Sequence, residues 1–228
     1  MVRTTIPLWP LPFAIAIILV VATHLAWWLS LQGGHIPYCV PCLEGCTSIS
    51  RAARHGIGNH LFRLMVLPCA LLVGIHWWLA GRWLRARGSG GAVMLVLGVI
   101  GAVSLATYAT FLGTEGEAYR FLRRYGVVVF FGCSYLAQLL FLRRAQASGP
   151  MDRLARLLML VICVAMLALG MTHVIVDALI GGSDLQDRLE NVFEWHLGVL
   201  LVGWFIVHAR LWRREGFALV EVVRSTRL

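Results

Sequence analysis

The chain contains no lysine: all 20 of its basic side chains are arginines. That absence excludes Schiff-base chemistry and a lysine nucleophile. Charge is scarce altogether, at 14% of 228 residues, and only 11 residues are acidic. Long polar stretches are missing too. The longest non-apolar interval is a first loop, 32–60, so no separate soluble domain is expected. What remains is apolar: 59% of the residues, with a mean hydropathy of +0.78. This is not the composition of a soluble globule. In a soluble protein the net charge of +9 would suggest nucleic acid. In a chain this apolar it points instead to basic flanks against anionic lipid, and no nucleic-acid partner is expected.

Apolar runs of about 18 residues or more read as membrane-crossing helices. Six such spans can be placed, at about 9–31, 61–83, 91–112, 122–142, 157–181 and 192–212. The runs are continuous rather than alternating, which favours helices over a barrel. The expected fold is therefore all-α, one polytopic six-helix transmembrane bundle covering 1–228. The first run is too long for a signal peptide and no small-residue cleavage pattern follows it, so it reads as an uncleaved span.

Arginine distribution orients the spans. With the N-terminus in the cytoplasm, that side holds Arg3, Arg82, Arg85, Arg87, Arg143, Arg144, Arg153, Arg156, Arg210, Arg213, Arg214, Arg224 and Arg227. The opposite side holds only Arg51, Arg54, Arg63, Arg120, Arg123, Arg124 and Arg188. Both termini are thus expected in the cytoplasm, with loop 32–60 facing outward, in a bacterial inner membrane or a eukaryotic endomembrane. Tryptophans near the span ends, among them Trp77 and Trp212, read as interfacial belts. Gly98, Gly101, Ala102 and Ser104 read as close helix packing. The tail 215–228 reads as a short amphipathic, interfacial segment.

Ionisable residues at membrane depth are costly and point to function by default. His173 and Asp177 share one face of span five at i,i+4, and Glu194 and His196 open span six. With His24, His60, Arg63, Tyr108 and Glu117 they are expected to converge at one outer level beneath the loop. His76 and His208 lie towards the cytoplasm without acidic partners and read as structural, their tips snorkelling or bonding locally. His24, His173, Asp177 and His196 offer metal donors, yet no close-spaced ligand signature is present, and neither metal nor cofactor is expected.

The loop holds Cys39, Cys42 and Cys46. Cys39-Val40-Pro41-Cys42 resembles the dithiol of DsbB-like membrane thiol oxidoreductases. Such a relay needs a second outward pair, and the later loops on that side hold no cysteine. A structural disulfide among the three is the expected role.

Gly45-Cys46-Thr47-Ser48-Ile49-Ser50, then Leu61-Phe62-Arg63 opening span two, resembles the FRAG/DRAM/SFK family. Glu117, the span-five His173 and Glu194-Trp195 at span six add to the likeness. That resemblance implies a six-span protein connected with lipid remodelling, including GPI-anchor fatty-acid remodelling. The proline that the family places before its serines is absent here.

These readings lead to a protein that binds or remodels a lipid in the outer or lumenal leaflet. Ser48, Ser50, Arg63 and His196 would contact the lipid, with Arg63 holding a phosphate or carboxylate. If acyl transfer occurs, His173, oriented by Asp177, is the natural base, beside Glu194, with Ser48 or Ser50 as nucleophile. The rival readings are a non-enzymatic adaptor or lipid organiser, working with a membrane-protein partner, and a DsbB-like oxidoreductase.

Overall fold

A computed structural model describes residues 2–223. Arg224 and Arg227 of the orientation argument, with the end of the 215–228 tail, lie outside the described residues. Strand β1, Val2–Pro7, precedes helix α1, Pro10–Gln32. Two single-turn helices follow within the loop, α2 at Pro41–Glu44 and α3 at Ile49–Ala52. Then come α4, Gly56–Ala86, α5, Ala92–Phe111, and α6, Glu117–Ala147. Helices α7, Arg153–Ile180, and α8, Asp184–Arg214, are followed by strand β2, Ala218–Val223.

Six of the helices, α1 and α4 to α8, are long and apolar enough to cross a membrane. The molecule is an all-α polytopic bundle, a multi-pass integral membrane protein. Several helices outrun their apolar spans. Helices α4, α6 and α8 each have 31 residues, or about 46 Å at 1.5 Å per residue, against roughly 30 Å of hydrocarbon. Their polar ends therefore project beyond the core. The caps suit this: Ser183 accepts from the Gln186 N–H, Asp184 and Asp187 occupy the first turn of α8, and Arg213 and Arg214 its last. Each charge opposes the helix dipole end on which it sits.

The helices form a ring that α7 closes only loosely. Helix α1 packs between α4 and α8, α5 joins α4 to α6, and α7 lies on α8 with a smaller contact to α6. Helix α7 buries only Ala155, Met159, Ile162, Cys163 and Met166, all in its first half. Its second half is left uncovered, and α6 and α8 make almost no direct contact. A gap between α6 and α8 follows at the end of the bundle that carries the loop.

The terminal end is closed differently. Strands β1 and β2 pair antiparallel, with Thr5 opposite Val220. Residues 218–223 are thus a strand, where the sequence suggested an amphipathic interfacial segment. The partner that decides this lies more than 200 positions away in the chain, beyond the reach of any local pattern. Arg87 pins this end. It pairs with Glu215 at 2.9 Å, donates to the Pro150 carbonyl and lies over the Trp83 ring.

Near this end sits a buried aromatic cluster. His76 and His208 meet edge to face, ring centroids 4.6 Å apart, among Trp77, Phe141, Trp204 and Trp212. Both histidines are fully buried and none of their ring nitrogens has a hydrogen-bond partner. They neither snorkel nor bond locally, contrary to the sequence reading. Trp77 and Trp212 are fully buried as well, not interfacial. A tryptophan near a span end reaches the interface only if its helix face meets lipid. Trp77 instead faces α5 over Gly98, and Trp212 lies under Phe217.

Candidate functional site

The loop between α1 and α4 is docked into the bundle as a plug. Its backbone carbonyls cannot all bond to one another in so irregular a segment, and buried ones need partners. The helices supply them. Ser30 donates to the Ala52 carbonyl at 2.6 Å, and Asn59 to that of Ala53 at 2.9 Å, bonding also the Leu112 carbonyl at the end of α5 at 3.0 Å. From α8, Asn191 donates to Gly45 at 2.7 Å and the Trp195 indole to Thr47 at 3.0 Å. Gly45 comes so close to α8 that a Cβ would lie 2.1 Å from the Arg188 carbonyl oxygen, and its φ of +65° suits glycine.

A disulfide joins Cys39 to Cys46, and Cys42 remains a free, half-buried thiol. The bridge thus falls within the trio named from sequence but bypasses the C-x-x-C pair. It closes a loop of sequence separation 7, for which loop-closure entropy gives a stabilisation of about 2.5 kcal/mol. Cys46→Ser is expected to lower the thermal midpoint of detergent-solubilised protein and to speed proteolysis at Arg51. Cys42→Ser is expected to change neither.

Beneath the plug, three polar groups form a chain. The Glu194 carboxylate accepts from the Ser50 backbone N–H at 2.9 Å and from the Ser50 hydroxyl at 3.0 Å. The Tyr108 hydroxyl lies 3.0 Å from the Ser50 oxygen. A serine has one hydroxyl proton, and Glu194 takes it, so Tyr108 donates to Ser50. Linked donors of this kind polarise one another.

This chain caps a cavity of about 200 Å³. The walls are apolar: Leu19 from α1, Phe62 from α4, Leu105 from α5, Phe130 from α6 and Val202 from α8, with Ile49 of α3 as roof. Val199, another lining residue, is 64% exposed, which marks the opening at the gap between α6 and α8. Above it is a second, polar pocket of about 410 Å³ that shares Val127 and Glu194 with the first. Arg51, Arg54, Arg120, Arg123 and Arg124 line this vestibule, facing only Glu190 and Glu194.

The residues anticipated from sequence separate into two groups. Ser50, Tyr108 and Glu194 come together, and His24 lines the cavity wall beside Trp195. Ser48 borders the vestibule, but its hydroxyl is used as the cap of α3, accepting from the Arg51 N–H at 3.0 Å. His173 and Asp177 lie exposed on the uncovered half of α7. Asp177 accepts from Gln186 rather than orienting His173, whose nearest ring is Phe193. His196 is exposed and bonds the Val192 carbonyl of its own helix. His60 and Glu117 are exposed, and Arg63, half-buried on α4, lines neither pocket. The convergence at one level is therefore corrected to a smaller set. Shared depth does not bring side chains together when the helix faces diverge, and α7 turns its polar face outward.

Among the described residues, no group of three or more His, Cys, Asp or Glu side chains is placed to hold a metal. The arginine vestibule is what sequence reasoning overlooked. Its signal was present: Arg120, Arg123 and Arg124 follow i, i+3, i+4 and share one helix face, and Arg51 and Arg54 lie three apart.

No protein-family model, curated protein or solved structure matches this chain.

Proposed function

We propose that this protein binds a membrane lipid in the outer or lumenal leaflet, with loop 32–60 facing outward and both termini in the cytoplasm. The observation that carries the reading is the apolar cavity, capped by Tyr108, Ser50 and Glu194 and open between α6 and α8. Apolar cavities of about 150 Å³ hold benzene, so about 200 Å³ suits a segment of an acyl chain. The rest of such a chain would lie along the gap, in the bilayer. The excess of arginines on the terminal side supports the orientation. The likeness of Thr47 to Ser50 to the FRAG/DRAM/SFK loop points the same way.

Binding or organising a lipid is favoured over acyl transfer by the placement of the side chains. His173, the expected base, is on the outer surface of α7. The Ser48 hydroxyl caps a helix, and the Ser50 proton is held by Glu194. Neither serine is thus paired with a histidine in the way that acyl transfer requires.

Filling the cavity tests the proposal. Gly198 lines it, and a Cβ there meets only the flexible end of Ile49, at 3.1 Å. Gly198→Leu and Val202→Trp are expected to expel lipid, so that native mass spectrometry of mildly extracted protein shows bound lipid in the wild type and little in either variant. Equal lipid occupancy in all three would sink the reading.

A further inference from the structure

Five guanidinium groups around one vestibule are hard to explain as surface decoration. In the orientation proposed above, only seven arginines lie on the outward side, against the usual bias. Five of those seven gather here: Arg51 and Arg54 from the docked loop, and Arg120, Arg123 and Arg124 from the first turns of α6. Their carboxylate partners are few. Arg51 reaches Asp187 only at 3.9 Å and both side chains are largely exposed. Among the described residues, Arg54, Arg120, Arg123 and Arg124 form no salt bridge.

Arg54 is the most telling of them. It is half-buried, and its Nε–H is fully enclosed without a hydrogen-bond partner. Burial, and after it the charge of Arg123, push its pKa below the ordinary arginine value. An enclosed, unpaired guanidinium donor beside like charges is the environment that an anion relieves. The guanidinium fork suits phosphate oxygens in particular. The vestibule also adjoins the apolar cavity, sharing Val127 and Glu194 with it. A ligand that filled both would carry phosphate at one end and hydrocarbon at the other.

We infer that the vestibule is the headgroup site of the lipid-binding cavity, and that the lipid is an anionic phospholipid whose phosphate is held by Arg54, Arg120, Arg123 and Arg124. This assignment rests on the lipid-binding reading and specifies the lipid class. Glu190 and Glu194 border the same space and set its limit. They repel a second carboxylate near the cap, so net negative charge belongs on the phosphate, towards α6.

The test uses full-length protein reconstituted separately into nanodiscs of neutral carrier lipid doped with phosphatidylglycerol, phosphatidylcholine or diacylglycerol. Retained dopant is counted by native mass spectrometry after release. Wild type is expected to retain phosphatidylglycerol over diacylglycerol by about tenfold or more, the contribution of at least one charge-assisted hydrogen bond. Arg120 and Arg124 are exposed, so R120Q/R124Q is expected to keep the fold. It is also expected to lose most of that preference while still retaining diacylglycerol. R54Q is expected to act in the same direction.

Equal retention of the three lipids, unaltered by R120Q/R124Q, overturns the headgroup assignment but leaves the cavity as a lipid site. Retention of none of them overturns both. Inorganic phosphate is the remaining arm. If it raises the thermal midpoint in detergent while no phospholipid is preferred, the arginines bind a soluble phosphate and the lipid assignment falls.

Discussion

Glu194→Ala is expected to release the loop from the bundle. The substitution removes the acceptor of two hydrogen bonds at once, from the Ser50 backbone N–H and hydroxyl, and leaves both donors without that partner. Bonds to a charged acceptor contribute about 1.5–3 kcal/mol each, and an orphaned buried donor costs a similar amount. Some of this loss overlaps, so a destabilisation of about 3–4 kcal/mol is expected. Tyr108 loses the polarised serine to which it donates, and the cavity loses its cap. The thermal midpoint in detergent should fall, and tryptic cleavage at Arg51 and Arg54 should accelerate. Glu194→Gln keeps an amide oxygen for Ser50 and should lose far less. If alanine and glutamine behave alike, charge rather than hydrogen-bond geometry holds the loop. If neither variant differs from wild type, Glu194 is not its anchor.

The second large effect lies in the packing of α4 on α5. A Cβ built at Gly98 would lie 2.2 Å from the Trp77 ring. Trp77 cannot yield, being fully buried between His76 and its neighbours. Overpacking of this kind costs about 1–3 kcal/mol and sometimes more. Gly98→Ala should therefore sit at or above the upper end, and Gly98→Leu should abolish folded yield. Gly132 supplies the contrast within one experiment. No atom lies within 4 Å of the site of its added Cβ, and alanine is the better helix former by about 1 kcal/mol. Gly132→Ala should be neutral or stabilising. Equal melting of Gly98→Ala and wild type would refute the close α4–α5 contact.

The placement of Gly98 against Trp77 illustrates what the chain made legible. Small residues in span three announced close packing, and they do pack closely, but nothing local named the partner. The tryptophan that fills the groove reads as interfacial from sequence, since its position near a span end resembles the usual aromatic belt. The candidate site was legible in a similar, partial way. Glu194 and Tyr108 could be named because polar groups in lipid stand out one by one, and Ser50 because it belongs to the serine cluster of the first loop. His173 and Asp177 stood out equally and fell elsewhere. Depth in the membrane follows from sequence position along a straight helix, whereas azimuth depends on which face the neighbouring helices cover. The arginine face of α6 was visible as a spacing, yet its meaning required the loop to bring Arg51 and Arg54 alongside.

Sequence alone determined the material and the number of crossings. Continuous apolar runs of bilayer length leave a backbone no choice but helix, because lipid offers no other hydrogen-bond partner. It also determined that half of the cysteines and a serine cluster share one aqueous loop. Tertiary structure decided the rest. Long-range pairing turned 218–223 into a strand beside β1. Cys39 closes on Cys46 rather than on Cys42. The shallow seating of α7 opened the gap between α6 and α8. The physical reason is common to all three. Solvent, here lipid and water, acts on each residue by itself and is written into composition, whereas contacts between distant elements depend on relative orientation, which no single segment encodes.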